Sequence, residues 1–360
     1  MHPSSAGRTR RSKHGWAMAL GLALILLAFR NVDTRGIATL LSKLGYRVWL
    51  VPIPFALGQM TETLAWKSLF DRVRTRVTYG RLLKIRLACE GITATCPGGV
   101  LVAESVKPGL LMRHFGLAPE QAICGTAGRK LLLLVAQCFY FGIAALLGIP
   151  ALYSVARTKE NGWWLSAAVV LAFLVLLLAA TAAVLLLSRN DLCDRLRVAF
   201  SHFPIVRLRH ALDRAQGAFK KTDHRLREFC ALGWRRLALP TGLYLAAWFF
   251  EALETIALLT LLGVPLDIRT LLLIEVCASM VRNIAFLSPS GLGVQDLSYA
   301  GLLQIFSVPN ALSVAAAFLL LKRAKELLWS LLGYGLLSGL MSERSEQEVR
   351  VDEAAVALSP

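Results

Sequence analysis

One uncharged run constrains the fold of this chain more than any other feature. It extends from Trp163 to Leu187, WWLSAAVVLAFLVLLLAATAAVLLL, and contains no charged side chain. A helix of about 20 apolar residues already crosses the hydrocarbon core of a bilayer, because each residue rises about 1.5 Å. A second uncharged run, 131–149, is nearly as long. The sequence therefore predicts an integral membrane protein.

The composition agrees with that prediction. Charged residues make up only 18% of the 360 residues, against about a quarter in soluble domains, and the mean hydropathy is +0.57. The net charge of +17 comes from Lys and Arg that flank the apolar runs, so membrane topology explains it better than a nucleic-acid partner. The seven Cys show no CxxC and no Cys/His spacing for zinc, so we expect free thiols and no metal.

The basic loops set the predicted orientation, because Lys and Arg concentrate on the cytoplasmic side of membrane proteins. Residues 1–14 are basic and are therefore placed on the cytoplasmic side. The first apolar segment resembles a signal peptide. However, Arg30, Asn31 and Asp33 stand where a cleavage site would need small residues, so we favour a retained helix. Six spans are predicted, at about 15–30, 46–70, 119–149, 163–187, 237–262 and 309–340.

Two polar segments complete this multi-pass topology. Residues 188–236 carry twelve Lys/Arg against five acids, interleaved with apolar residues at helical spacing. We expect cytoplasmic amphipathic helices that lie on anionic lipid headgroups, with a nucleic-acid arm as the rival interpretation. Residues 341–360 are acidic and polar, and we expect a disordered cytoplasmic tail.

Two segments broken by Pro and Gly repeat at an offset of 192 residues. They are 96–112, CPGGVLVAESVKPGLLM, and 288–304, SPSGLGVQDLSYAGLLQ. The offset aligns Pro97 with Pro289, Gly99 with Gly291, Glu104 with Asp296, and Lys130 with Lys322. Chance rarely aligns a Pro, a Gly, an acid and a Lys together in an apolar chain. We therefore infer an internal repeat with halves at about 82–149 and 270–340.

The repeat completes the predicted fold. Basic residues flank both ends of the first broken segment, which predicts a re-entrant hairpin surrounded by protein or a watery cavity. Three spans separate the two segments, so the second hairpin would open to the opposite side. The prediction is an all-α integral membrane protein with about six spanning helices and two re-entrant hairpins in an inverted repeat. The alternative is that Pro and Gly only kink ordinary packed helices.

Charged side chains inside the apolar segments predict a binding site, because each is costly in lipid unless it is paired or hydrated. Each repeat presents an acid at the hairpin and a cationic pair about three turns into the next helix, where the two sets would face a shared cavity. Such cations, with the free N–H groups of a Gly-containing helix start, could hold a phosphate-bearing lipid headgroup. The candidate substrate-binding residues are Gly98, Gly99, Glu104, Lys107, Arg129, Lys130, Glu251, Glu254, Arg282, Gly291, Gly293, Asp296, Lys322 and Arg323.

The same charges could instead form structural ion pairs between helices. Glu251 and Glu254 share one helix face at a spacing of three residues. Either acid could pair with Arg282 or with Arg323, and the sequence leaves this choice open.

The two broken segments also resemble a known family. Pro97-Gly98-Gly99, with Glu104 and Lys107 before a helix, resembles the first motif of the flippase-like family named for the membrane region of lysylphosphatidylglycerol synthase. The run from Pro289 to Asp296, with the later Lys322-Arg323, is similar to its second motif. Ser290, Asp296 and Lys107 depart from the usual Gly, Glu and Arg. The resemblance covers about 15–340 and implies lipid flipping or the handling of polyprenyl and hopanoid lipids, often beside envelope glycolipid biosynthesis. It implies no aminoacyl transfer, because that needs a further soluble domain.

We therefore expect a lipid transporter that moves or presents a phosphate-bearing or polyprenyl/hopanoid-type lipid between leaflets, without a cofactor. A membrane transferase is the rival. However, no His lies in an apolar span, and GxSxG, DxD, P-loop and GxGxxG motifs are absent, so no catalytic residue is predicted. A third possibility is a non-catalytic membrane partner of a lipid-modifying or lipid-biosynthesis enzyme.

Overall fold

The computed structural model describes residues 39–70 apart from 40 and 43, 77–188 apart from 97, 216–284 and 293–357. Within these ranges all regular secondary structure is helical, and it comprises one short 3₁₀ helix, Gly45–Leu50, and eleven α-helices. This confirms the all-α prediction. The predicted first span at 15–30 and the first part of the basic segment lie outside the described residues.

The helices follow one another with short connections. In chain order they are α1 Pro52–Ser68, α2 Tyr79–Thr95, α3 Gly99–Phe115, α4 Pro119–Leu147, α5 Ile149–Thr158, α6 Trp163–Leu187, α7 Gln216–Cys230, α8 Trp234–Leu261, α9 Ile268–Ile284, α10 Val294–Ile305 and α11 Ala311–Ala357.

Three of the described helices, α4, α6 and α8, are long and apolar enough to cross a membrane, with 29, 25 and 28 residues. They coincide with three of the predicted spans. Helix α6 presents large apolar side chains outward, with Leu171 63% and Leu178 70% exposed. Such a surface is stable in lipid and unfavourable in water. The chain is therefore an α-helical membrane protein.

The last helix is longer than predicted. Helix α11 begins at Ala311 and continues to Ala357, so the backbone is helical over 341–357, where we expected a disordered tail. This stretch is rich in Glu, Ala and Arg, which have high helix propensity and continue a helix that has already started.

Helices α1–α4 form a first group and helices α8–α11 form a second group, and the four helices of each group correspond in chain order. Helix α1 packs against α8, helix α2 against α11, and helix α4 against α9. Within each group the second helix packs on the third and the third on the fourth. Helix α4 starts at Pro119 and helix α11 at Ala311, which differ by the same 192 residues as the two motifs. The two groups therefore contact each other reciprocally.

A tight turn joins α2 to α3. Gly98 has the left-handed φ of +62°, which glycine adopts without strain. The N–H of Gly99 donates to the carbonyl of Cys96 at 2.8 Å, and a Cβ on Gly99 would lie 2.5 Å from the carbonyl oxygen of Thr93. Helix α3 thus starts directly against the end of α2, and the two helices pack side by side.

Helix α10 begins at the corresponding point of the second group. Gly293 has φ +83°, and its N–H donates to the Asp296 carboxylate at 3.0 Å. Such a bond satisfies a backbone donor at a helix start and places a negative charge at the positive end of the helix dipole. Gly291 lies outside the described residues.

The buried apolar core lies mainly in two clusters. The first-group cluster is built around Trp66, Leu82 and Leu111. The larger cluster is built around Tyr140, Leu258 and Phe318, and it joins α4 to the second group. Between these clusters the interior is polar, and this polar interior contains the candidate site.

Candidate functional site

A cavity of about 410 Å³ opens between the two groups of helices. Its walls come from α1 to α4 of the first group and from α8, α9 and α11 of the second. The charged lining comprises the cations Arg86, Lys107, Arg129, Lys130, Arg282, Lys322 and Lys325 and the acids Glu62, Glu90, Glu104, Glu251, Glu254 and Glu326. The structure thus places charges of both repeats, among them Glu104, Arg129, Lys130 and Lys322, in the wall of one cavity.

A continuous ionic network forms the first-group wall. Arg129 on α4 donates to Glu104 on α3 at 2.7 Å and to Glu62 on α1 at 3.2 Å. Glu62 also accepts from Arg86 on α2 at 2.6 Å. Lys107 donates to Glu104 at 2.7 Å from one turn further along α3. Four helices therefore meet in one charged cluster, in which each acid contacts two cations.

Aromatic packing fixes the position of Arg129 within this network. The guanidinium lies 5.4 Å from the ring centroid of Trp66, close enough for a cation–π interaction. Trp66 is itself held by a hydrogen bond from its indole Nε1–H to the carbonyl of Gly125, at 3.1 Å. Only 3% of the Arg129 side chain is exposed, so the two carboxylates, and not water, stabilise its positive charge.

Two separate ion pairs form part of the second-group wall. Arg282 on α9 donates to Glu251 on α8 at 2.5 Å. Lys325 on α11 donates to both oxygens of Glu254, at 2.6 and 2.8 Å. Of the partners that the sequence left open, Arg282 takes Glu251, whereas Glu254 pairs with Lys325.

Arg323 pairs with the acid of its own repeat. Its guanidinium donates to Asp296 and to Glu326, both at 2.5 Å. Glu326 lines the cavity, but Asp296 and Arg323 do not. We expected both to face the cavity. They lie instead behind its wall, where burial of Asp296 is compensated by Arg323 and by the N–H of Gly293.

The same pairing therefore occurs in both repeats, from the acid after the broken turn to an arginine on the following helix. Glu104 pairs with Arg129, and Asp296 pairs with Arg323. The acids are 192 residues apart and the arginines 194, so the ion pairs match although the arginine register shifts by two residues.

Lys322 has a different environment. It is 4% exposed, and its ammonium donates to the Tyr299 hydroxyl at 2.9 Å. The Tyr299 hydroxyl donates in turn to Glu275, whose other oxygen accepts from Ser279 at 2.8 Å. A polar chain thus extends from the cavity into α9.

The glycines of the site have separate positions. Gly99 lines the cavity, and Gly98 precedes it in the turn. Gly293 caps α10 behind the wall, next to Asp296.

Two charged residues that connect the helices of the first group were not among the predicted site residues. Glu62 lies within the predicted span at 46–70, and Arg86 was assigned only to the basic flank of the hairpin. A signal for Glu62 existed, because the 192-residue offset aligns it with Glu254. Both acids occupy the first helix of their group and both line the cavity.

The chemistry of the lining is that of an anion site with its own counter-charges. Guanidinium and ammonium groups donate hydrogen bonds to phosphate or carboxylate oxygens, and the acids stabilise these cations while no ligand is bound. Within the described residues, no group of three or more His, Cys, Asp or Glu could hold a metal ion.

Comparison with known proteins identifies the family. No curated protein and no solved structure matches the chain significantly. The family model described as the lysylphosphatidylglycerol synthase TM region matches residues 16–321. This range includes both broken segments and every residue of the cavity wall except those on α11, which begin at Lys322. The chain therefore belongs to the family of lysylphosphatidylglycerol synthase transmembrane regions, a family of membrane proteins related to lipid handling.

Proposed function

We propose that this protein moves a phosphate-bearing lipid between the leaflets of the bacterial inner membrane, with the headgroup passing through the cavity between the two groups of helices. The observation that carries the proposal is the charged lining, which comes from both groups and lies between apolar clusters. Polyprenyl and hopanoid-type lipids with the same headgroup chemistry are further candidates.

The ion pairs make such passage possible. A charged headgroup is costly in the hydrocarbon core unless protein groups replace its water. Arg129 contacts two carboxylates, and phosphate oxygens can take over one of these contacts while the other persists. The cavity can then exchange internal ion pairs for contacts with the ligand.

The helix order supports an inverted repeat as the transport device. The first helices of the two groups, α1 and α8, contact each other. The second helix of each group contacts the fourth helix of the other, which gives the pairs α2–α11 and α9–α4. Three long apolar helices lie within or between the groups, so the repeats would face opposite sides. We interpret α2–α3 and α9–α10 as the two re-entrant hairpins of a protein with about six spans and cytoplasmic termini. Related halves of this kind can alternate access to a central site.

Helix α7 belongs to this arrangement as a surface element. It packs on α4 and α6, and Phe229 lies against Gly128, directly before Arg129. Its exposed face carries Lys220, Lys221 and other basic side chains. We interpret this face as the contact with anionic headgroups of the cytoplasmic leaflet.

Reconstitution tests the proposal directly. Purified protein in liposomes is given fluorescent phosphatidylglycerol, and dithionite reports how fast the lipid changes leaflet. Val100 lines the cavity, and Val100→Trp would place a large side chain in it. We expect wild type to accelerate lipid movement. The rate in the Val100→Trp variant should be at least about tenfold lower than in wild type, because the headgroup path is blocked.

The matched control is Ala168→Trp on the exposed face of α6, which adds the same side chain away from the cavity. It should move lipid as wild type does. Equal rates for Val100→Trp and wild type would show that lipid does not pass this cavity. Absence of movement by folded wild type, for phospholipids and polyprenyl phosphates alike, would reject transport altogether.

A further inference from the structure

We propose that Lys130 and Lys322 are the two groups of the cavity that bind phosphate first, one contributed by each repeat. This inference deepens the proposed lipid transport, and it singles out two cations among the seven that line the cavity. The other five are held in ion pairs, and they meet the ligand only after it has bound at one of these two lysines.

The first observation concerns the partners of the seven cations. Five of them have a carboxylate oxygen within 4 Å, namely Arg86, Lys107, Arg129, Arg282 and Lys325. Within the described part of the chain, Lys130 and Lys322 have none. These two ammonium groups therefore carry positive charge that no direct ion pair compensates.

The second observation concerns their positions. Lys130 is the twelfth residue of α4, and Lys322 is the twelfth residue of α11. The two helices are the last of their respective groups, and the two lysines are separated by the 192 residues of the repeat. The uncompensated charge is thus a repeated feature at one structural position, although the arginine register around it has shifted.

Both lysines also keep unused hydrogen-bond donors. An ammonium group has three N–H donors. Lys322 uses one of them on the Tyr299 hydroxyl, and Glu275 takes its hydrogen bond from that hydroxyl and not from the ammonium. Lys130 is accessible at the cavity wall and makes no side-chain hydrogen bond within the described residues. Both can therefore bind an anion without giving up an existing ion pair.

The paired cations are less suited to first contact with a ligand. Taking Lys325 from Glu254, or Arg282 from Glu251, would leave a buried carboxylate without its partner. Separation of a buried ion pair is strongly destabilising, whereas Lys130 and Lys322 leave no carboxylate behind when they bind a ligand. Phosphate should therefore bind first at Lys130 or Lys322, according to which half of the protein faces it.

The ligand chemistry is a phosphate group with at least one negative charge. Lysine binds phosphate as a compact point charge, and two lysines on opposite walls could hold one phosphate in turn as the halves exchange conformations. A lipid headgroup and free phosphate share this chemistry, and the experiment separates them.

The test measures binding and does not require transport. Full-length protein in detergent is titrated calorimetrically with short-chain phosphatidylglycerol, and separately with inorganic phosphate. We expect Lys130→Gln and Lys322→Gln each to weaken phosphatidylglycerol binding about tenfold, because each removes a charge-assisted contact. Lys159→Gln, which removes an exposed lysine at the end of α5, should bind as wild type does.

Two additional arms make the result decisive. If Lys322→Gln elutes as aggregate, Lys322→Met fills the same buried space without an amide and is used instead. Competition by inorganic phosphate would show that the free anion and the lipid share the site, and lysine-dependent binding without such competition would assign the site to the lipid.

Wild-type affinity in both lysine variants would overturn the inference. Transport by wild type together with unaffected variants rejects this inference alone, whereas lysine-dependent binding without transport rejects only the proposed function.

Discussion

A single residue, Glu62, connects three helices of the first group. Its carboxylate on α1 contacts Arg86 on α2 and Arg129 on α4. Removal of an acid from such a cluster leaves buried cations that face each other without compensation. The contribution of Glu62 is therefore structural as well as electrostatic.

Replacement of Glu62 tests that role. We expect Glu62→Gln to destabilise the protein by about 2 kcal/mol, because the neutral amide keeps the shape of the side chain but leaves Arg86 without its carboxylate and Arg129 with Glu104 alone. Thermal unfolding in detergent, followed by tryptophan fluorescence, measures the loss. Glu160→Gln removes an exposed acid between α5 and α6 and should unfold as wild type does. Identical melting of both variants would mean that Glu62 does not hold the cluster.

At the scale of elements, the broken turns decide where the acids lie. The turn at Gly98 and Gly99 lets α3 start against the end of α2, which brings Glu104 within reach of α4. The start of α10 at Gly293 does the same for Asp296 and α11. Glycine is required at Gly99 because a side chain would meet backbone atoms, and it is favoured at Gly98 and Gly293 because both have a positive φ.

A pair of glycine substitutions on one helix tests this requirement. Gly99→Ala places a Cβ 2.5 Å from the Thr93 carbonyl oxygen, so we expect a loss of about 2 kcal/mol in stability. Gly109→Ala on the same helix meets nothing within 4 Å and should be neutral or stabilising by up to about 1 kcal/mol. Melting curves in detergent distinguish the two. A melting temperature for Gly99→Ala equal to that of Gly109→Ala would show that the turn tolerates a side chain.

At the scale of the whole molecule, the contact between α1 and α8 joins the two halves directly. Gly58 on α1 would place a Cβ 3.6 Å from the Cβ of Phe250 on α8. This separation fits a disulfide, in which the two Cβ atoms lie about 3.5–4.5 Å apart. The contact therefore offers a way to fix one half relative to the other.

Cross-linking tests whether the halves move against each other during lipid transport. Gly58→Cys and Phe250→Cys, in a chain whose seven native cysteines are replaced by Ala, should form a disulfide under mild oxidation. We expect the oxidised protein to move lipid at least about tenfold more slowly than the same protein after reduction. The single-cysteine variants control for oxidation itself. Unchanged transport in fully cross-linked protein would mean that the halves do not move at this contact.

Local sequence is sufficient to predict the membrane class of the protein, its three long apolar helices and the two broken segments with their acids. These features are local: an uncharged run such as Trp163–Leu187, or Gly98-Gly99 before Glu104, has the same consequence wherever the chain folds. The matching starts of α4 and α11 also follow from the repeat.

The pairing of the charges depends on the tertiary structure, and so does the absence of a carboxylate partner for Lys130 and Lys322 within the described residues. The sequence shows that Glu254 lies in an apolar helix, but its partner Lys325 is 71 residues away and competes with several other cations. The same holds for Arg323, which we expected in the cavity and which lies behind it with Asp296. A hydropathy pattern shows where a charged side chain lies in an apolar segment, where it is costly unless it is paired. Its partner depends on which helices pack together, and residues far apart in the sequence decide that.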